Sequence, residues 1–451
     1  MKAVCIPCVG SVEIGDLLPI VEHPLFQRLR RCQQLGLNDI VFPGARHTRF
    51  EHAVGVLGRT RLAAQLQRLD AQSTRHLEVF ALLHDIGHGP CSHQIEPVLN
   101  KSHHERGQEC LQEMESAIRS CGVEPEVISA MLAGREPLAN WVADRNLGTD
   151  KLDYLERDAF HIGFTGTPSI QTIQQQTVLA DDGILALREK FIEDGKRLQK
   201  FYSYLHQHGY LNKTALAAQR MLQRAAQEEL LLCDNPDEAS EKTWTMTDDE
   251  LWGWLRRARS PLARRLAAGL LNRSLYRTCL CVKPDGYAYV ENAVGKAMVV
   301  QEWPRQKLSR VSSQLLSLER VRATEDRLAE AAGLKPGELI LAAMPYFTKL
   351  LPKDLRIANG GRNDYWLFEK DKDHKASLES DYLRTFAIRI VVPDKHRSRI
   401  AEEAGTLLAA LEGTRGAVIP GGASAGAPAS PATADSTPSM AEGANALESE
   451  T

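Results

Sequence analysis

Apolar residues recur at helical spacing through most of the first 310 positions. Between Thr48 and Leu69, the residues Phe50, Val54, Val56, Leu57, Leu62 and Leu66 follow a period near 3.6 and predict a helix. Thr74–Gly87 repeats the pattern with Leu77, Phe80, Leu82 and Leu83 turned inward, and Gly87 marks its expected end. His104–Ser120, Glu124–Leu132, Asp150–Phe160 and Leu187–Gln223 also read as helices. Two strand-like pieces interrupt them, Thr177–Leu187 around the turn Asp181-Asp182-Gly183, and Cys279–Val290 around Asp285-Gly286. Beyond Ser309 the character changes: a short helix at Thr324–Ala332 closed by Gly333, strand-like runs at Leu339–Phe347, Tyr365–Phe368 and Thr385–Val392, and a helix at Arg397–Leu411. From Gly413 onward Gly, Ala, Ser, Pro, Thr and Glu dominate without periodicity, so this tail is expected to be disordered. The pattern predicts a mainly α protein, with a helical core over 1–310, a smaller α+β lobe over 311–412 and a disordered tail over 413–451.

Composition narrows the class. A length of 451 residues allows two to three domains, or one large domain with attachments. The 55 Lys and Arg residues nearly balance 58 Asp and Glu residues, for a net charge of −3, which argues against nucleic acid held by bulk charge. With 43% hydrophobic and 25% charged residues, the chain can bury a large core. The longest apolar stretches, such as Leu339–Met344, fall far short of the ~20 residues a membrane helix needs. The segment Met1-Lys2-Ala3-Val4-Cys5 lacks the apolar run of a secretory signal. Nine cysteines without a small-domain framework suit reduced thiols in the cytoplasm. Cys5/Cys8 and Cys279/Cys281 are distant pairs, and the second is not a Cys-x-x-Cys, so they make a weak zinc pattern. The basic run Arg256–Arg265 beside Trp252 and Trp254 reads as an amphipathic helix with a charged outer face.

The chemistry gathers in Phe80-Ala81-Leu82-Leu83-His84-Asp85-Ile86-Gly87-His88-Gly89-Pro90-Cys91-Ser92-His93, where an apolar helix runs into adjacent His84 and Asp85. A histidine and an aspartate at a buried helix end are costly unless their polarity is used. A divalent metal uses it, because imidazole and carboxylate both ligate Fe, Mn or Zn. Upstream, His47-Thr48-Arg49-Phe50-Glu51-His52 opens a helix and sets His52 among core-facing positions. Downstream, Asp150 begins a helix beside Lys151. His52, His84, Asp85 and Asp150 thus form a two-His, two-Asp set on three helices, in the order of the HD-domain metal signature.

The likeness extends further. Phe26-Gln27-Arg28-Leu29-Arg30, Val41 through His52, His84 through His93, and Asp150-Lys151-Leu152-Asp153-Tyr154-Leu155-Glu156-Arg157-Asp158 resemble the SAM-and-HD-domain dNTP triphosphohydrolases, with a fainter echo at Phe386–Val392. The resemblance covers roughly residues 10–410, without a SAM-like module before the HD core. It implies a metal-dependent hydrolase of nucleotide metabolism that takes a dNTP to deoxynucleoside and triphosphate. His52, His84, Asp85 and Asp150 would hold the metal (Fe, Mn, Mg or Zn). His88, His93 and His104 would contact phosphates or donate a proton, with Glu96 in place of the family's Asp. Arg49 and Lys151 would bind phosphate oxygens, Tyr154 and Asp158 the sugar, and Gln34 and Leu35 would line the sugar and base pocket. Among the three histidines His93 is favoured as the donor, then His104. The residue types fit phosphoryl transfer, which needs positive charge on non-bridging oxygens and a proton for the leaving oxygen.

Two departures bear on substrate and regulation. The segment Val4–Ser11 offers Cys5 and Ser11, and Glu22 replaces an Asp, where the family binds an activating nucleotide. Activation through tetramer assembly therefore does not follow, although a dimer or tetramer remains compatible with the family. On the helix expected to hold the triphosphate tail, His206 and Tyr210 fall where a His and a Tyr belong, but Tyr202 takes the place of an Arg. Two alternatives stay open on that account: an HD phosphodiesterase or nucleotidase on another nucleotide, and a non-catalytic nucleotide sensor or nucleic-acid binding protein.

Overall fold

A computed structural model describes residues 2–180, 183–344, 351–360 and 363–413. Asp181 and Asp182 of the expected turn, residues 345–347 of an expected strand, and the expected disordered tail beyond Gly413 lie outside the described residues.

The protein is mainly helical, as the periodicity predicts. Helix α1 (Arg49–Gln67) starts at a capping box in which the Thr48 side chain accepts from the Glu51 backbone N–H and Glu51 accepts from that of Thr48. It buries Phe50, Val54, Val56 and Leu57, and each such side chain contributes about 1.5–3 kcal/mol. Helix α2 (Ala71–Leu83) is capped by Asp70 and packs against α1. Helix α3 (His103–Glu113) has its own capping box, from Ser102 and Glu105. Helix α4 (Thr149–Ile162) crosses α1 and ends at Gly163 in the left-handed conformation. Among the described residues no helix is long and apolar enough to cross a membrane.

The expected single helix over Leu187–Gln223 is three pieces. Strand β4 (Leu185–Arg188) precedes helix α5 (Ile192–Leu205), a π turn spans His206–Tyr210, and helix α6 (Lys213–Leu230) restarts at the Asn212 cap. The Asn212 side chain accepts from the Thr214 backbone N–H, a local bond that outcompetes a continuous helix. The π turn lets His206 and Tyr210 both face inward.

Strands β1 (Ala3–Ile6) and β2 (Gly10–Glu13) form a hairpin against α1. A second sheet runs β3 (Thr177–Leu179), β4, β8 (Arg356–Ala358), β9 (Tyr365–Trp366). A third runs β6 (Val299–Trp303), β5 (Arg277–Pro284), β10 (Ile388–Val392), β7 (Ile340–Ala343). The second and third sheets both hydrogen-bond strands from either side of residue 310, so the boundary expected there does not fall between separate structural units. The ion pairs agree: Glu325, fully buried on helix α7 (Leu318–Ala331), accepts from Arg220 and Arg224 of α6. A break in composition at Ser309 could not reveal pairing between strands over a hundred residues apart.

Candidate metal centre and active site

Four backbone features bring the site residues together. His84 caps the C-terminus of α2, so helix α2 stops at Leu83, before the expected end at Gly87. Gly87 has a different role. A Cβ there would sit 2.0 Å from the His103 carbonyl oxygen and 2.4 Å from the Gly107 nitrogen, so only glycine lets α3 approach this loop. Gly55 leaves room for two side chains of α4, since a Cβ there would lie 2.0 Å from Arg157 Nη2 and 2.5 Å from Asp153 Oδ1. Cys91 and Ser92 both take φ near +54°, a strained backbone that directs the following His93.

His52 is fully buried. Its Nδ1 lies 2.9 Å from Asp153 Oδ2 and its Nε2 3.0 Å from Asp150 Oδ1. Asp153 also accepts from Arg59 and Arg157, so it is an ionised acceptor and His52 Nδ1 carries the hydrogen. Its Nε2 faces Asp150 and, at 3.7 Å, Asp85, so this is the atom turned to the site. His84 Nδ1 is 2.9 Å from the Ala81 carbonyl, which can only accept, and this again turns Nε2 to the site. His84 Nε2 is buried with no hydrogen-bond partner, 3.5 Å from Asp85 and 3.7 Å from Asp150.

Burial works against charge on these groups, and their neighbours override it. Burial lowers the His52 pKa, but Asp150 and Asp153 lift it to about 10. Burial raises the carboxyls of Asp85 and Asp150, but His84 and Arg49 draw Asp85, and His52 and His84 draw Asp150, far below the usual range. Three carboxylates thus concentrate negative charge around two imidazoles, and a divalent ion would take the place of the proton that His52 Nε2 directs at Asp150. This donor set fits a divalent cation held by His52, His84, Asp85 and Asp150. His52, His84 and Asp85 offer ligand atoms within 4.8 Å of one another.

Arg49 is buried, donating to Ser92 Oγ at 2.9 Å through Nε and to Asp85 through Nη1. Its partner is Asp85, while Glu51 closes the helix cap. Lys151 is buried with its Nζ 3.8 Å from the centre of the Tyr202 ring, so the tyrosine at the expected arginine position shields a neighbouring cation.

A second cluster adjoins the first. His88, His93, Glu96 and His103 bring donor atoms within 4.8 Å. His88 Nε2 reaches Asp85 at 3.5 Å. Glu96 accepts from His103 at 2.9 Å and from His93 at 3.2 Å. Burial would raise the Glu96 carboxyl, but these two bonds hold it far below the carboxylate range. His104 is the exposed member, its ring 4.0 Å from His103.

Asp158 is almost fully buried and engaged on both oxygens, with His47 at 2.7 Å and the Tyr210 hydroxyl at 2.5 Å. His206 faces Tyr202, its Nδ1 3.0 Å from the Tyr202 carbonyl oxygen. Tyr154 is half-buried against the core. Gln34 has a buried Oε1 without a partner, and Leu35 packs partly into the core. The network makes Tyr210→Phe an informative change: losing the bond to Asp158 is expected to cost about 1–3 kcal/mol. A urea titration reads this, and an unchanged midpoint would remove the bond from the account.

Asp153, His47 and His103 belong to the site without a role expected from the sequence. Asp153 had a readable signal: it stands three residues after Asp150 and four before Arg157, on one helical face. His103 had none, because the choice between adjacent His103 and His104 depends on how α3 is rotated.

Residues 49–158 match the HD domain family. An uncharacterised protein of Methanocaldococcus jannaschii is 37% identical over 146 residues, covering 32% of this chain and 30% of that protein. The deoxynucleoside triphosphate triphosphohydrolase SAMHD1 homolog of Dictyostelium discoideum is 25% identical, over 59% of this chain and 58% of its own length. Human deoxynucleoside triphosphate triphosphohydrolase SAMHD1 is 30% identical, over 47% of this chain and 42% of its own length. The chain therefore covers less than two thirds of each of these relatives. A phosphohydrolase from Bacteroides thetaiotaomicron shares the fold, with a TM-score of 0.65 at 19% identity, over 87% of this chain and 100% of that one. Residues 49–158 thus carry an HD domain. Over about half of its length the chain resembles the SAMHD1 deoxynucleoside triphosphate triphosphohydrolases.

Proposed function

We propose that the chain is a metal-dependent hydrolase that converts a dNTP and water to deoxynucleoside and triphosphate. The observation carrying this reading is the donor set of His52, His84, Asp85 and Asp150, two buried imidazoles and two partly exposed carboxylates, with Arg49 directly on Asp85. When bound there, a divalent ion of the Fe, Mn, Mg or Zn kind supplies Lewis acidity toward a phosphoryl oxygen. In the reaction an oxygen from water joins the α-phosphorus, the bond to the 5′ oxygen breaks, and that oxygen takes a proton.

The chain's own groups divide this work. Arg49 grips phosphate oxygens with the planar guanidinium that Ser92 and Asp85 hold in place, and Lys151 adds a point charge. His93 donates the proton. Because ionised Glu96 can only accept, His93 Nδ1 keeps its hydrogen and Nε2 is the atom that exchanges one. His88, its ring 4.4 Å from that of His93, and His104, beside His103, contact the phosphates, while Gln34, Leu35 and Tyr154 meet the nucleoside. Asp158, with His206 and Tyr210 beyond it, shapes that wall through its bonds to His47 and Tyr210.

Incubating the chain with each dNTP and Mn²⁺, and resolving the products, tests the proposal. Triphosphate is expected, and His93→Ala should lower the turnover number by roughly 10²–10⁴-fold. Absence of triphosphate with every dNTP would refute this substrate. One observation favours a second reading: Tyr202 stands where the family pattern has an arginine and lies against Lys151. A site poorer in free cations suits a phosphodiesterase or nucleotidase on another nucleotide, which would release monophosphate.

A further inference from the structure

Away from the HD site, the third sheet carries a group of buried cations. Arg389 on β10 pairs in register with Cys281 on β5, and Lys283 lies two residues on, so all three side chains share one face. Ala342, the β7 partner of Arg389, adds only a methyl group there. Lys283 is fully buried, and among the described residues its ammonium donates only to the Arg384 carbonyl oxygen. Arg389 is 4% exposed; its Nη2 donates to Glu291, while Nε and Nη1 are buried with no partner. Lys213, half-exposed at the start of α6, reaches the other Glu291 oxygen at 3.7 Å.

Three cations therefore face one carboxylate. Burying a charge without a counter-ion is among the costliest arrangements in a fold. Two strains show it: two guanidinium nitrogens of Arg389 lack acceptors, and burial first, with Arg389 next, lowers the Lys283 pKa to about 8. Glu291 comes from the connection between β5 and β6, whose Tyr289, Val290 and Val294 are exposed. The compensating carboxylate thus arrives on a surface segment rather than from the sheet.

We propose that Lys283, Arg389 and Lys213 form a binding site for a phosphate-class oxyanion, and that the Glu291 carboxylate occupies part of it as an internal stand-in. The charge count supports a dianion: the three cations less Glu291 leave two positive charges. The open Arg389 nitrogens and the Lys283 ammonium supply donors for its oxygens.

The test is calorimetric titration of the full chain with inorganic phosphate, in an Arg49→Gln background that weakens oxyanion binding at the HD site. Saturable binding is expected. Lys283→Met, which keeps the aliphatic stem, should weaken it roughly ten- to a hundredfold. Glu291→Gln should tighten it about tenfold, because an internal competitor is removed. This last result separates a binding site from an ordinary ion pair, whose loss would bring no gain in anion affinity. A parallel titration with a nucleoside monophosphate distinguishes the sources: equal affinity assigns free phosphate, and at least tenfold tighter binding assigns a nucleotide. Absence of phosphate binding in both the parent and Glu291→Gln, or weaker binding in Glu291→Gln, would overturn the proposal.

Discussion

Asp150→Ala is expected to strip the chain of its divalent ion and to lower turnover by roughly 10³-fold or more. Asp150 stands in the first turn of α4 and places its carboxylate 3.0 Å from His52 Nε2 and 3.7 Å from His84 Nε2. Removing it takes one anion from a set whose negative charge is the reason a cation binds. Elemental analysis of the dialysed variant reads the ion content, and a product assay at saturating Mn²⁺ reads the rate. The double variant His84→Ala/Asp85→Ala should behave alike, since it deletes an imidazole Nε2 with no other partner and the carboxylate held by Arg49. Full ion content and undiminished turnover in both variants would sink the assigned centre.

Asp153→Asn should produce the largest loss of stability, about 3–5 kcal/mol in the metal-free chain. The side chain is fully buried and accepts from His52, Arg59 and Arg157. An amide has a single acceptor oxygen and no charge, so the fully buried Arg157 would keep a guanidinium without its counter-ion. The same change frees the His52 ring from its fixed tautomer, and metal affinity is expected to fall about 10–100-fold. Urea unfolding in the presence of a chelator isolates the first effect, and equilibrium dialysis with Mn²⁺ measures the second. A urea midpoint within error of the parent would show that Asp153 does not carry the buried charges as described.

Reading the residues in order supplied much of the local picture. Thr48 and Glu51 announce the start of α1 through a capping box, and the period of Phe50, Val54 and Leu57 announces its buried face. His84 and Asp85 stand out because two polar groups follow an apolar run, a cost that demands a use. Other expectations missed for identifiable reasons. The capping power of Asn212 interrupts the long helix expected over Leu187–Gln223, and Gly87 serves the approach of α3 through its missing side chain rather than ending a helix.

The chain's order of residues determined where helices begin, which faces are apolar, and which imidazoles and carboxylates are available for chemistry, because these are governed by neighbours within one or two turns. Only the tertiary structure decided that Asp153 orients His52, that His103 rather than His104 bonds Glu96, and that Tyr202 lies against Lys151. It alone joined strands across residue 310 and gathered Lys283, Arg389, Lys213 and Glu291. The physical reason is that hydrogen bonds and charge interactions act over a few ångströms of space. Residues a hundred positions apart come within that range only when a particular packing of helices and strands puts them there.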